Sequence, residues 1–196
     1  RLALVPGILA FLVTLVGGML SALNIVSEKE IGTIEQINVS PIKKSTFILG
    51  KLIPFWILAN VAFTMGLLVS RFVYGIEIYG SLPLLYFFVG VYLLAILGFG
   101  LLISTYSETQ QQAMFTIFFF MMIFIIMSGL YTPIESMPEW SQKLTLLNPL
   151  TYLIEVIRLI MLKNSGFKDL IPQFISILGM AVFFNSWAVW NYRKTS

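Results

Sequence analysis

Apolar residues in this chain run in long uninterrupted blocks separated by short clusters of charge. Stretches free of Asp, Glu, Lys and Arg extend from Leu2 to Leu23, Leu52 to Ser70, Ile78 to Ser107, Thr109 to Ile134 and Leu170 to Tyr192. A helix needs roughly 20 apolar residues to cross a bilayer. The pattern therefore predicts five membrane spans, over 2–23, 53–71, 82–105, 112–130 and 170–190, in one all-α, polytopic transmembrane domain covering 1–196. The first block exceeds the ~7 to 15 residues of a secretory h-region and lacks a small-residue cleavage pattern, so it reads as a span.

Within the spans, small residues mark packing surfaces: Gly17, Gly18 and Ser21 in the first, and Gly90, Gly98 and Gly100 in the third. Pro54 and Trp56 read as the first turn and interfacial anchor of the second span. Trp187, Trp190 and Tyr192, followed by Arg193 and Lys194, read as an aromatic belt with a basic anchor. The segment 131–165 behaves differently. Pro133, Pro138 and Pro149 cut it into pieces too short to cross a bilayer, yet Leu144 to Ile154 and Val156 to Leu162 are too apolar for open solvent. Short helices lying at or dipping into the interface fit, with Trp140 at headgroup level and Glu155 and Arg158 spaced to pair.

The polar stretch after the first span, SEKEIGTIEQINVS, predicts a short acidic helix over 27–40. Ser27 and Glu30 have capping-box spacing, Glu28 and Glu30 sit where a helix dipole favours anions, and Pro41 provides a stop. Ile31, Ile34 and Ile37 fan over one arc, while Lys29, Thr33 and Gln36 face away. Interfacial helices on anionic lipid usually carry Lys and Arg, so an acidic amphipathic helix suits a groove on another protein better than a lipid surface. An inert surface helix is the other reading.

Composition narrows the chemistry. Hydrophobic residues make up 58% and charged ones 11% of 196 residues, with a mean hydropathy of +0.91, more apolar surface than one water-soluble core can hide. The absence of Cys and His removes disulfides, thiolate metal sites and the usual general base. No metal site is expected. The net charge of +3 is scattered over span ends, which argues against nucleic acid. Gly50-Lys51 is followed by Leu52 and has no glycine five residues before Gly50, so it is no phosphate-binding loop. Charge counting leaves the orientation open at six basic residues on each side.

The fourth span is rich in Phe and Met, and two readings stand for Phe115, Phe119, Met122 and Ile126. They pack against lipid and neighbouring helices, or they wall a pathway for a greasy substrate. The lack of ionisable residues within the spans counts against an ion-gradient-driven secondary transporter, the main rival function, and against an intramembrane enzyme.

Two stretches resemble one known family. In SEKEIGTIEQINVSPIKKSTFILGKLIPF, the residues Glu30, Gly32, Thr33, Glu35, Gln36, Ser40, Pro41, Gly50 and Lys51 are similar to the cytoplasmic loop of type-2 ABC transporter permeases. Ser128, Gly129, Pro133, Met137, Pro138, Trp140, Asn148, Pro149, Tyr152 and Arg158 resemble that family's external segment, and TQQQAM before the fourth span is a weaker match. The likeness covers nearly the whole chain. Members usually carry one further span, often followed by a sizeable external domain, so an upstream piece is expected.

The resemblance implies the permease subunit of an ATP-driven exporter of drug or lipid type, in a bacterial inner membrane. The 27–40 helix would be a cytoplasmic coupling helix, with Glu28, Glu30, Ile31, Gly32, Thr33, Ile34 and Glu35 facing a separate ABC ATP-binding subunit. ATP and Mg would sit on that partner, with no cofactor in this chain, and the C-terminus would be cytoplasmic. Pro133, Met137, Pro138, Trp140, Asn148, Pro149, Tyr152 and Arg158 would belong to an external gate. A second permease copy or homologue would complete the pathway within the lipid, and the uncharged spans imply a hydrophobic or amphiphilic substrate.

Overall fold

The computed structural model describes residues 4–194 apart from 33, 34, 37 and 38. Among these, α1 (Leu4–Ile31), α2 (Lys44–Phe72), α3 (Leu82–Tyr106), α4 (Gln110–Ile126), α5 (Glu139–Thr145), α6 (Pro149–Lys163) and α7 (Ile171–Lys194) form the bundle. Short 3-10 turns over Ile134–Ser136 and Phe167–Leu170 join them. The chain is a polytopic helical membrane protein: α1, α2, α3 and the helix ending the chain are long and apolar enough to cross a bilayer. The fourth expected span forms a shorter helix, since α4 has 17 residues and reaches only about 25 Å at 1.5 Å per residue.

Burial identifies the centre of the bundle. In α3, 83% of the apolar window is inside the protein, against 17% for α2 and for the last helix, whose outer faces are left for lipid. α3 packs mainly on α7 and α1, and α1 also touches α2, α4 and α6. Of the expected small-residue surfaces, Gly17, Gly18, Ser21 and Gly100 lie where α1 meets α3, while Gly90 receives Trp56 of α2 and Gly98 receives Asn185 of α7. A Cβ on Gly100 would stand 2.7 Å from the Gly18 carbonyl oxygen, and Ser21 Oγ donates to the Leu97 carbonyl at 2.8 Å. Thr14 on α1 and Tyr92 on α3, both fully buried, satisfy each other by a hydroxyl–hydroxyl hydrogen bond.

Several helix ends differ from the expectation. No Pro or Gly lies between Gly18 and Gly32, so nothing interrupts α1 where the apolar run ends; the helix passes through Ser27 without a break. Ser27 is therefore not a cap. The stop is Gly32 at φ +85°, whose N–H donates to the Glu28 carbonyl at 3.1 Å, a left-handed closure that glycine adopts without a Cβ penalty. At the other side of this loop α2 starts at Lys44, well before the expected 53, which moves Pro54 into the helix interior. Trp56 is consequently no interfacial anchor. Its indole lies against Gly90 of α3, with Nε1 donating to the Gly90 carbonyl at 2.9 Å.

The two ends of the bundle are built differently. At one, the α1–α2 loop, the α3–α4 turn and the end of α7 come together, the last through Asn191 Nδ2 donating to Thr105 Oγ1 at 3.2 Å. At the other, α5 and α6 meet at 74°. α6 is amphipathic, burying Leu150, Leu153, Ile154, Ile157 and Ile160 on the face that packs against α1, α3 and α7. The α2–α3 turn straps it down: Tyr79 N–H donates to the Met161 carbonyl at 3.1 Å, and a Cβ on Gly80 would overlap the Ile160 carbonyl oxygen.

Candidate functional site

The last turn of α1 carries three consecutive charged residues, and successive positions on a helix point about 100° apart. On a central helix, that spacing sends each to a different neighbour. Glu28 forms an ion pair with Lys51 of α2. Lys29 reaches the end of α3, where its ammonium donates to the Ser104 and Ser107 carbonyls, acceptors left open by the helix terminus. Glu30 accepts from the backbone N–H and from Nε2 of Gln110, both at 2.9 Å, and so holds the first turn of α4. Thr109 caps that same turn by accepting from Gln112 N–H at 3.2 Å.

These contacts reassign part of the sequence reading. Glu28 and Glu30, expected to face another protein, are held by contacts within this chain, and Lys29, expected to face away, is part-buried among carbonyls. Sequence reasoning missed the role of Lys29. A lysine in a last helical turn was a signal, but its acceptors lie 75 and 78 residues later, beyond any local pattern. What projects beyond the clasp is Ile31, 72% exposed, then exposed Glu35 and Gln36, and Val39, 87% exposed. Gly32 meets nothing within 4 Å of a built Cβ, so its required conformation comes from its own φ. Thr33 and Ile34 lie outside the described residues.

At the opposite end, the residues expected to form a gate fall into four places. Pro133, Met137 and Pro138 shape the turn ahead of α5: Pro133 precedes the 3-10 turn, Pro138 precedes α5, and the Met137 carbonyl accepts from Gln142 Nε2 at 2.9 Å. Asn148, Pro149 and Tyr152 form the α5–α6 joint. Asn148 Oδ1 caps α6 by accepting from Leu150 N–H at 3.0 Å, while its Nδ2 donates to the Phe124 carbonyl at the end of α4, at 2.8 Å. Pro149 takes the first helical position, and Tyr152 OH donates to the Leu146 carbonyl at 2.7 Å. Trp140, in the first turn of α5, is exposed. Arg158 and Glu155, expected to pair, do not; each instead lines a cleft against the loop after α4.

On α4, Phe115, Phe119, Met122 and Ile126 recur at steps of four, three and four residues and form one exposed stripe. Ala113, Ile117 and Met121 face the other way, into the protein. The stripe is thus outside this protomer's own core, open to lipid or to another subunit.

A bundle with apolar outer faces, a charged clasp joining three helices at one end and a bent helical hairpin at the other has the build of a polytopic membrane domain. The chain belongs to the ABC-2 type transporter family, which matches residues 1–162. It is 38% identical over 162 residues to the probable multidrug ABC transporter permease YbhR of Escherichia coli K12, covering 83% of this chain and 44% of that protein. It is 31% identical over 185 residues to the probable multidrug ABC transporter permease YbhS of the same strain, covering 92% and 48% respectively. The inner membrane transport permease YhhJ, also from that strain, is 27% identical over 192 residues, covering 96% and 51%. The chain spans about half the length of these relatives.

Proposed function

We propose that this chain is the membrane-spanning part of an ABC exporter permease, driven by a separate ATPase subunit that binds and hydrolyses ATP with Mg. The observation that carries the coupling role is the contrast at the end of α1. Glu28, Lys29 and Glu30 bind the second turn of α2, the end of α3 and the start of α4, whereas Ile31, Glu35 and Val39 continue past them, exposed and half apolar. A partner that grips the projecting part moves three helices through the clasp, a rigid-body linkage of the kind that switches packed bundles between two arrangements. Gly32 leaves room there for close backbone approach, and Thr33 and Ile34 complete the docking segment. That end of the bundle, with the C-terminus, is then cytoplasmic, the membrane is a bacterial inner membrane, and the α5–α6 hairpin is the external gate.

Export of a hydrophobic or amphiphilic substrate fits the exposed stripe on α4, which becomes a pathway wall once a second permease copy faces it. The names of the Escherichia coli relatives, multidrug permeases, support the same substrate class. The test is co-purification and ATP turnover of the full-length chain with its ATPase, comparing wild type with Glu35→Lys and Ile31→Asp. Both exposed substitutions leave the bundle intact and are expected to reduce ATPase association and substrate-stimulated turnover together. Association and turnover that survive both substitutions would refute the coupling role.

A further inference from the structure

α6 presents a polar stripe on the side away from its buried face: Thr151, Glu155 and Arg158, at steps of four and three residues. The stripe is partly covered at Thr151 and Arg158 and exposed at Glu155. It lines a cleft of about 450 Å³ whose other wall is the loop after α4, including Gly129, Pro133 and Glu135. Gly129 has φ +84°, and a Cβ there would meet Ile134 Cγ1 at 2.9 Å, so the loop folds back tightly enough to shape a wall. Within this cleft the Nε of Arg158 and the Oγ1 of Thr151 are both shut off from solvent with no hydrogen-bond partner. Arg158 also has no carboxylate within ion-pair distance among the described residues. A guanidinium donor left unsatisfied out of water is unfavourable, and such groups in native proteins ordinarily mark a ligand or water position.

The charges around the cleft restrict that ligand. Arg158 offers the planar donor set that matches a phosphate, and the Thr151 hydroxyl lines the same cleft two turns earlier on α6. Glu135 and Glu155 line the same cleft, so a simple anion would meet two carboxylates and a simple cation would meet the guanidinium. A phosphate carrying an ammonium group a short linker away satisfies both signs. The surroundings favour a membrane source for it. Tyr131 and Trp140 are exposed near the cleft's loop and hairpin, together with Leu146 and Leu147, a mixture suited to headgroup depth. We infer that the cleft between α6 and the loop after α4 is a binding site for the phosphate–ammonium headgroup of a zwitterionic phospholipid, with Arg158 holding the phosphate and Glu155 the ammonium.

The site concerns this hairpin alone and is independent of ATPase docking at the other end. Its test uses the full-length, delipidated protein titrated with nanodisc or micellar phosphatidylethanolamine, phosphatidylglycerol, free phosphoethanolamine and inorganic phosphate, with bound lipid counted by native mass spectrometry. Wild type is expected to retain phosphatidylethanolamine over phosphatidylglycerol. Arg158→Gln should weaken that binding by about tenfold to a hundredfold, as expected for loss of a charge-assisted contact. Arg158→Lys should recover part of it, and Glu155→Gln should shift preference toward phosphatidylglycerol. Competition by free phosphoethanolamine would locate recognition in the headgroup alone, while its failure to compete with intact lipid bound would locate it in headgroup and chains together. The inference is overturned if wild type shows no preference between the two lipids, or if Arg158→Gln and Glu155→Gln proteins of unchanged thermal stability bind as wild type does. Should Arg158→Gln fail to fold, the Arg158→Lys and Glu155→Gln pair decides the matter on the same readout.

Discussion

Asn148 is 4% exposed and uses both ends of its amide, so the structure makes a graded prediction for its replacement. Its Oδ1 is the N-cap of α6, a contact whose loss on truncation to Ala typically costs about 1 kcal/mol. Its Nδ2 satisfies the Phe124 carbonyl, one of the last four of α4, which have no partner inside their own helix. Stranding that carbonyl costs roughly 1–3 kcal/mol more, because few waters reach it to substitute. Asn148→Ala should therefore destabilise by about 2–4 kcal/mol. For a chain of this size that is a fall in apparent Tm of roughly 5–15 °C. Asn148→Ser keeps an oxygen for the Leu150 N–H but cannot donate to Phe124, so it should lose only the second part. The assay is thermal unfolding in detergent followed by size-exclusion recovery of the three proteins side by side. A fall below about 1 °C for the Ala variant, or equal falls for Ala and Ser, would show that the amide does not join α4 to α6 in the way described.

Two further predictions concern the helix termini and the hairpin strap. The Glu28–Lys51 pair has side chains 17% and 33% exposed, so solvent screening limits it; a double-mutant cycle with Glu28→Gln and Lys51→Gln should give a coupling of about 0.5–1 kcal/mol, and additive effects within ~0.2 kcal/mol would remove it from the clasp. Gly80→Ala should destabilise by about 1–3 kcal/mol, because the added methyl overlaps a backbone oxygen of α6 that cannot swing aside, whereas Gly166→Ala, with nothing within 4 Å, should be within ~0.5 kcal/mol of wild type. Equal unfolding temperatures for the two glycine variants would contradict that packing.

The long apolar blocks were legible because nothing but a membrane accommodates them, and the glycine surfaces on α1 and α3 were legible because close helix contact leaves few other residue choices. The helix ends were less legible. Ser27 with Glu30 satisfies a capping-box pattern, but a capping residue acts only where the backbone has already turned, and no breaker precedes it before Gly32. Trp56 was misplaced for a related reason, since α2 starts at Lys44 and carries the indole inward to the Gly90 carbonyl.

The clasp was the least legible feature, and its geometry explains why. Glu28, Lys29 and Glu30 read locally as one acidic turn of a separate helix, a reading that treats neighbouring residues as sharing a face. On a helix surrounded by others, adjacent residues instead diverge by about 100°, so a run of charge becomes a set of links to separate elements. The partners, Lys51 in the second turn of α2, the carbonyls of Ser104 and Ser107 at the end of α3, and Gln110 at the start of α4, lie on three helices that only the packing of α1 against them brings together. The same consideration bears on the proposed docking role: a side chain already satisfied by its own chain would lose those contacts on docking, whereas exposed Ile31, Glu35 and Val39 have no such contacts to lose, so the proposal rests on them.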